Sequence, residues 1–260
     1  MKITFYKYHG AGNDFVIVDD RQLNYLFSTN DIKEICDRKF GIGSDGFILL
    51  RNHKKYDFEM VYYNSNGKMS TMCGNGGRCI VAFANYLKII KTSTIFQAID
   101  GAHEAKIIND STVVLKMNNI DHISINEDHT FIDSGSPHYV IEQSDINSVN
   151  IKENGSKIRY SKMYNPHGVN VNFVQKLSPK EFIIRTYERG VEDETLSCGS
   201  GAVASAVTMR YLGRTKQNKI IMKTLGGDLI ICFEFESSKV FSGITLEGPV
   251  KQVYKGVISF

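Results

Sequence analysis

The sequence predicts an α+β protein of two similar domains, each a mostly antiparallel β-sheet wrapped around a central helix. A Cys-Gly-(Asn/Ser)-Gly turn occurs twice, at residues 73–76 and 198–201, and each copy leads into about three turns of helix-forming residues. Strand-like segments lie before and after both turns in the same order. With 260 residues, the chain is long enough for two domains of common size.

The two turns are also alike in the residues that follow them. A Tyr-Leu pair and a later glycine follow each cysteine at identical spacing, namely Tyr86-Leu87 and Gly101 in the first copy and Tyr211-Leu212 and Gly226 in the second. Repeated spacing indicates an internal duplication, and two copies favour two facing domains over a solenoid. We therefore place the domains at residues 1–118 and 119–249, and we expect a cleft between them with one cysteine on each wall.

The first half is predicted to begin with a hairpin of strands Ile3–Tyr8 and Phe15–Asp19, whose wide polar tip carries Asn13. On such a tip, Asn13 either binds a ligand or simply forms the turn. A helix is predicted over Asp31–Arg38, with Thr29 or Asn30 as its N-cap. Further strands are expected at 47–50, 58–63, 94–99, 104–108 and 112–117, with a hairpin-type turn at 64–67.

A glycine-rich segment, Gly41–Gly46, has the spacing of a dinucleotide-binding fingerprint. That fingerprint requires a strand before it and a helix after it, whereas here a predicted helix precedes and a predicted strand follows. We interpret the segment as a tight loop near a site and not as a nucleotide cradle.

The second half repeats the order of the first. Its polar loops are predicted at 134–138 and at 188–195, the second leading to Cys198. Its strands are expected at 131–133, 139–141, 169–175, 182–187, 219–224, 228–236 and 240–247, before a last strand at 252–258.

Composition places the chain among globular proteins, with 42% hydrophobic and 23% charged residues. A net charge of +3 with scattered lysines gives no support to nucleic-acid or membrane binding, and no apolar run approaches the roughly 20 residues that span a bilayer. Five cysteines are an odd number, and no secretory segment is recognised at the start. We therefore expect a cytoplasmic protein without a disulfide framework.

The paired cysteines indicate a particular chemistry. A helix N-terminus stabilises a thiolate and can hold a carboxylate, although a lone cysteine is more often a small buried hydrophobe. Two thiols across one cleft suit the removal of a proton from one face of a carbon and delivery to the other face. Fixed donors for the developing charge are available in the two turns, at Gly74, Asn75, Gly199 and Ser200. The pattern predicts a racemase or epimerase that needs no cofactor.

Metal binding is the rival interpretation of a cysteine-rich chain. Cys73 and Cys79 are too far apart for the usual zinc-ligand spacing, and no histidine pair completes a set. We expect no metal, and we interpret Cys36, Cys79 and Cys232 as packing residues.

The motifs together resemble those of the diaminopimelate epimerase family. They are His9-Gly10-Ala11-Gly12-Asn13-Asp14-Phe15, Met72-Cys73-Gly74-Asn75-Gly76-Gly77-Arg78-Cys79, Tyr187-Glu188-Arg189-Gly190, Cys198-Gly199-Ser200-Gly201 and the closing Gly248-Pro249 with Val253-Tyr254-Lys255-Gly256. The resemblance implies that family's two-domain fold, with strand 250–260 returning to the first domain. It also implies interconversion of LL- and meso-2,6-diaminopimelate, on the route to lysine and peptidoglycan. Its implied partners are this small molecule and, as the candidate assembly, a second copy in a homodimer.

The resemblance assigns roles by position. Cys73 and Cys198 match the paired acid and base, and His138 matches a histidine that adjusts a thiol pKa. The carboxylate pocket and the other substrate contacts match Gly74, Asn75, Gly199, Ser200, Asn13, Asn64, Asn170, Glu188 and Arg189. Arg189 suits a second carboxylate because its fork binds one bidentately, and Glu188 suits an ammonium group or the tuning of a thiol. Without the motif, both would be interpreted as surface residues, and His138 as a loop histidine.

Two positions depart from the family pattern. Gly46 stands where many members carry a substrate-contacting glutamine, and Ser136 stands where many carry an asparagine. Ser136 can still donate a hydrogen bond, whereas Gly46 offers only backbone or space for water. Two alternatives stay open: a proline or hydroxyproline racemase, which also pairs two cysteines, and a binding-only descendant that catalyses nothing.

Overall fold

The computed structural model describes residues 2–235 and 240–259. The chain divides into two units, the first formed by Met1–Leu115 with Gly248–Phe260 and the second by Lys116–Glu247. Within the described part of the chain, no helix is both long and apolar enough to cross a membrane.

The first unit contains eight strands and two helices in its described residues. The strands are β1 (Lys2–Gly10), β2 (Asn13–Asp19), β3 (Gly46–Arg51), β4 (Phe58–Asn64), β5 (Ser93–Ala98), β6 (Gly101–Asn109), β7 (Thr112–Lys116) and β17 (Lys251–Ser259), and the helices are α1 (Thr29–Cys36) and α2 (Gly74–Tyr86). Strands β2 and β3 run parallel, as do β4 and β5, while β1–β2, β1–β17, β3–β4, β5–β6 and β6–β7 are antiparallel.

Strand β3 explains how this unit is layered. Its residues from Gly46 to Leu50 are all buried, as expected for a strand covered on both faces. Phe47 and Leu49 pack in one core cluster with Ile32 and Ile35 of α1. Ile48 points the opposite way, and its side chain lies where a Cβ on Gly76 of α2 would contact it at 3.2 Å. The sheet therefore lies between α1 and the Cys73 end of α2.

The second unit has a similar order of elements, with a 3-10 helix (Ile146–Ser148) and the short strand Asp193–Thr195 in addition. Its strands are β8 (Ile123–Ile125), β9 (Thr130–Asp133), β10 (Pro137–Glu142), β11 (Asn170–Lys176), β12 (Glu181–Glu188), β13 (Asp193–Thr195), β14 (Lys219–Thr224), β15 (Gly227–Phe235) and β16 (Phe241–Pro249), and its helices are α3 (Ile151–Arg159) and α4 (Gly199–Tyr211). Here β10–β11 and β12–β14 are the parallel pairs, and the pairs β8–β9, β9–β10, β11–β12, β12–β13, β14–β15 and β15–β16 are antiparallel.

Comparison of the two units confirms the predicted fold class. In each unit a short helix joins the first parallel pair of strands, and the Cys-turn helix connects the two strands of the second pair. Helix α4 is buried from Ala202 to Met209, as expected for a central helix that is apolar on all sides. Both sheets are mostly antiparallel around one such helix.

Several predicted details are wrong. The hairpin tip is tight, because the β1–β2 ladder continues to Gly10 and Asn13 and leaves only Ala11 and Gly12, both with positive φ, in the turn. The N-cap of α1 is Ser28, which forms a capping box with Asp31. Helix α3 was not predicted, because its polar sequence lacks a wide apolar stripe. Of the predicted strand 228–236, Glu236 lies outside the described residues.

Candidate active site

Cys73 is the N-cap residue of α2, with extended backbone. Its carbonyl oxygen accepts the first helical hydrogen bond, from the N–H of Gly77 at 2.7 Å. The amide groups of Gly74 and Asn75 belong to the first turn, where N–H groups have no partner within the helix. The Cys73 sulfur thus lies beside backbone donors that can bind an anion.

Asn13 and Asn75 join Cys73 in one hydrogen-bonded group. The Cys73 sulfur lies 3.7 Å from Asn13 Oδ1, and Asn75 Nδ2 donates to the same oxygen at 3.2 Å. Asn13 Nδ2 donates to Asp45 Oδ2 at 2.7 Å. We call Asn13, Cys73, Gly74 and Asn75 the Cys73 cluster.

Asn64, another predicted substrate contact of the first unit, is held by a different hydrogen bond. Its Oδ1 accepts from the Tyr62 hydroxyl at 2.9 Å. Asn64 also pairs with Gly46 across β3 and β4. A Cβ on Gly46 would lie 2.6 Å from the Tyr62 ring, so the expected space for water above Gly46 is instead filled by this tyrosine. Tyr62 therefore takes the volume that a longer side chain at position 46 would need.

Cys198 is the N-cap residue of α4 and is 8% exposed. Its carbonyl oxygen accepts from the Ala202 N–H at 2.9 Å, and its sulfur lies 3.6 Å from Ser200 Oγ. The backbone carbonyl of Ser200 accepts from the Ser134 hydroxyl at 2.8 Å, which fixes the turn to the loop that directly follows strand β9. We call Cys198, Gly199, Ser200 and His138 the Cys198 cluster.

His138 is fully buried, and its two ring nitrogens have different partners. Nε2 lies 2.9 Å from Ser200 Oγ and 3.0 Å from Ser136 Oγ, while Nδ1 lies 3.0 Å from Asn172 Nδ2. Asn172 Nδ2 also donates to the Tyr139 carbonyl, which can only accept, so the Asn172 amide is oriented with its N–H groups toward His138. His138 Nδ1 must then be the acceptor, which places the ring proton on Nε2.

The environment keeps His138 neutral. Burial lowers the pKa of His138 to about 3, with a further lowering from the charge of Arg189. In the neutral state Nε2–H can donate to either of two hydroxyls, Ser200 at 2.9 Å or Ser136 at 3.0 Å, and when it donates to Ser200 the hydroxyl hydrogen of that serine is available to the Cys198 sulfur. His138 thus acts on Cys198 through a serine.

The remaining predicted residues of the second unit cluster at the ends of β11 and β12. Asn170 donates from Nδ2 to Ser136 Oγ at 3.0 Å and accepts at Oδ1 from the Arg189 backbone N–H at 2.8 Å. Glu188 accepts from the Thr195 hydroxyl at 3.0 Å, and Arg189 donates from Nη1 to the His167 carbonyl at 3.2 Å. Asn170 therefore links the Glu188-Arg189 loop to Ser136 and, through it, to His138.

Strand register shows which residues occupy corresponding positions in the two units. Phe15 pairs with Gly46 in the parallel ladder of the first unit, and His138 pairs with Asn170 at the corresponding place in the second. The Cys73 turn lies against apolar side chains such as Phe15 at Gly76, whereas the Cys198 turn lies against Asn172 at Gly201. The duplicated fold thus supports its two thiols with different chemistry.

Sequence reasoning missed four residues that hold the clusters in place, namely Asp45, Tyr62, Arg78 and Asn172. Asn172 carried a signal, because it lies two residues from Asn170 in a buried strand and so shares its face. Arg78 carried one as well, three residues after Asn75 on an apolar helix. Among residues 2–235 and 240–259, no group of three or more His, Cys, Asp or Glu side chains is arranged to hold a metal ion.

Burial of neutral His138 has a consequence for stability. An unfolded chain takes up this proton below about pH 6.5, whereas the folded protein resists it until pH falls to about 3. The stability gained by keeping His138 neutral in the folded protein is thus complete above about pH 6.5 and is lost as pH falls. We expect the wild-type protein to lose on the order of 1 kcal/mol more per pH unit between pH 6 and 4 than His138→Gln, measured by urea unfolding.

The nitrogen-15 chemical shifts of His138 provide the control for this experiment. They should report a neutral ring protonated at Nε2 from pH 8 down to 4. Equal pH slopes for the wild type and His138→Gln, or a charged His138 at pH 5, would contradict the assignment.

Solved structures with the same fold define the class. The chain is similar to a PhzF-family phenazine biosynthesis protein from Bacillus anthracis, with a TM-score of 0.79 at 12% identity over all of both chains. It is also similar to a hydroxyproline epimerase from Agrobacterium vitis, with a TM-score of 0.70 at 12% identity over 99% of this chain and 92% of that one. The protein therefore shares the two-domain fold of these two proteins.

Sequence comparison identifies the family within that fold. The model of the family described as diaminopimelate epimerase matches residues 5–123 and 130–253. A diaminopimelate epimerase from Flavobacterium psychrophilum is 50% identical over 98% of this chain and its own full length. Another, from Chlorobaculum tepidum, is 38% identical over 96% of this chain and 99% of its own length. The chain belongs to the diaminopimelate epimerase family, a family of isomerases.

Proposed function

We propose that this protein interconverts LL- and meso-2,6-diaminopimelate by proton transfer between two thiols, without a cofactor. The observation that carries the proposal is the presence of a cysteine at the N-cap of each central helix in a chain of this family. We further propose that the enzyme works in the cytoplasm and that its candidate assembly is a homodimer.

The proposed reaction uses one cysteine as thiolate and the other as thiol. The thiolate removes the proton from the substrate α-carbon, and the thiol delivers its proton to the opposite face, so both protonation states are exchanged and the configuration is inverted. Amide groups of Gly74, Asn75, Gly199 and Ser200 would bind the neighbouring carboxylate and stabilise the enediolate charge. The reverse reaction uses the same groups with the roles exchanged.

The distant end of the substrate requires a second set of contacts. The guanidinium of Arg189 donates from Nη1 to the His167 carbonyl at 3.2 Å, and its other N–H groups are suited to a carboxylate. Glu188 is half-buried beside it and is suited to an ammonium group. Asn13, Asn64 and Asn170 would provide the neutral contacts.

Deuterium labelling tests the proposal. After incubation with LL-diaminopimelate in heavy water, we expect meso product that carries solvent deuterium at the inverted α-carbon, measured by NMR and mass spectrometry. The same protein should leave L-proline and trans-4-hydroxy-L-proline without label.

The outcomes separate the three functions considered. Label in proline but not in diaminopimelate would transfer the assignment to a proline racemase. A folded protein that labels none of these substrates would favour a binding-only descendant of the fold.

A further inference from the structure

Arg78 is a buried cation on α2. Its side chain is 0% exposed, and no described carboxylate forms an ion pair with it. Nη1 donates to the Gly74 carbonyl at 3.2 Å and Nη2 to Asn75 Oδ1 at 2.7 Å, while Nε is buried without a hydrogen-bond partner. Burial of a charge without a counter-ion is costly, so packing alone does not account for this residue.

The guanidinium determines the orientation of Asn75. Because Arg78 can only donate, the Asn75 atom that it contacts must be the oxygen, and Asn75 Nδ2 therefore faces the other way. Nδ2 donates to Asn13 Oδ1 at 3.2 Å. Arg78 thus requires Asn13 to present its oxygen at this point.

Asp45 imposes the same orientation from the opposite end. Its carboxylate can only accept, and Oδ2 accepts from Asn13 Nδ2 at 2.7 Å and from the Asp14 backbone N–H at 3.2 Å. The Asn13 oxygen is therefore directed away from Asp45, toward Asn75 and the Cys73 sulfur at 3.7 Å. We call Arg78, Asn75, Asn13 and Asp45 the amide relay.

We propose that Arg78 and Asp45 are positioning residues, which act through Asn75 and Asn13 to hold Cys73 as a hydrogen-bond donor, and thus as a thiol, in the ligand-free protein. The chemical reason is that the Asn13 oxygen is an acceptor, and a thiolate beside it would have no hydrogen to donate. Cys198 differs in its side-chain neighbour, since the Ser200 hydroxyl can accept from His138 and donate to the sulfur.

This inference deepens the proposed function, because it assigns to Cys73 the role of the proton-bearing thiol before substrate binds. Only the catalytic meaning of the relay rests on that function. The charged and titratable groups that face the relay are Arg78 and Cys79 on α2, Asp14 on β2 with its ion-pair partner Lys7 on β1, and Asp45, which Arg38 contacts from outside. Burial raises the pKa of the Cys79 thiol, so this residue stays uncharged.

The pH profile of Cys73 alkylation tests the relay without any need for turnover. The experiment uses the Cys198→Ala variant and follows the rate of iodoacetamide modification of the Cys73 peptide by mass spectrometry at each pH. The midpoint of the rate–pH profile reports the titration of the Cys73 thiol, whereas the plateau rate reports how accessible the thiol is to the reagent. Asn13 is oriented by Arg78 through Asn75 and by Asp45 directly, and either of the two suffices. Arg78→Met and Asp45→Ala should therefore each shift the midpoint only through the charge that the substitution removes. We expect the double variant to have a midpoint about 0.5 pH unit or more below the sum of the single shifts.

Two controls distinguish the relay from charge and from packing. Arg78→Lys keeps a donor for Asn75, so with Asp45→Ala it should show no such extra shift. Arg38→Gln changes the charge beside Asp45 without touching an amide, so with Arg78→Met it should give additive shifts.

Asn13→Ala keeps the proposal falsifiable if Arg78→Met does not fold. Removal of the acceptor should lower the midpoint of Cys73 by a similar amount. Additive shifts in the Arg78→Met/Asp45→Ala double variant, or an unchanged or raised midpoint in Asn13→Ala, would overturn the relay. Neither result would bear on whether the wild-type protein labels diaminopimelate in heavy water.

Discussion

Replacement of either Cys73 or Cys198 by alanine is expected to lower kcat for epimerisation by about 10⁴-fold. Each variant lacks one of the two groups that must exchange a proton with the α-carbon, and a backbone amide cannot take over that role. The rate of conversion of LL- to meso-diaminopimelate, followed by circular dichroism or coupled chromatography, measures the effect.

Cys232→Ala is the matched control, because Cys232 is half-buried on β15 and does not begin a helix. Its activity should stay within about twofold of the wild type, as is usual for a mild substitution away from a site.

Each thiol variant should still exchange the α-hydrogen of one stereoisomer with solvent, slowly and without inversion. The stereoisomer that exchanges should be different in the Cys73 and Cys198 variants. A single thiol variant with kcat within tenfold of the wild type would exclude the two-thiol mechanism.

Arg189→Met should lower kcat/KM for diaminopimelate by about 100-fold, mainly through a higher KM. Loss of a bidentate charge-assisted contact to the distant carboxylate removes roughly 3 kcal/mol of binding. Arg189→Lys should recover part of the affinity, since one charged donor remains but the fork geometry does not. Steady-state kinetics with both stereoisomers would provide the measurement.

Arg214→Met provides the comparison for this variant. Arg214 is half-exposed and forms an ion pair with Glu142 at 2.7 Å, in a position with no proposed substrate role. Its kinetics should match the wild type. If Arg189→Met also changes KM by less than threefold, the distant carboxylate is bound elsewhere.

The sequence was sufficient for the two thiol turns and for the fold class. Gly74 and Gly199 follow their cysteines directly, and an apolar helix follows each turn, so the whole signal lies within a few residues. Local signals of this kind depend on backbone preferences and periodicity, which need no knowledge of distant contacts. Helix α3 was missed because its sequence is mostly polar and has few apolar residues, and its stability comes from packing Ile151 and Ile158 against side chains of β11 and β12.

The sequence did not show which hydrogen bonds hold the two thiols in place. Asn13 and Asp45 are 32 residues apart, and His138 and Ser200 are 62 residues apart, yet each pair is joined by a hydrogen bond. The direction of such a bond is determined by the next partner, which for His138 is Asn172. A motif can name these residues, but it cannot state which atom donates.

By itself, the sequence determined that the chain is a duplicated α+β protein with a cysteine at the start of each central helix, because turn residues and apolar periodicity act locally. Only the tertiary structure decided how those cysteines are held. It placed Tyr62 above Gly46, kept His138 neutral and surrounded Cys73 with an oriented pair of amides. The physical reason is that burial and hydrogen-bond direction depend on groups that only folding brings together.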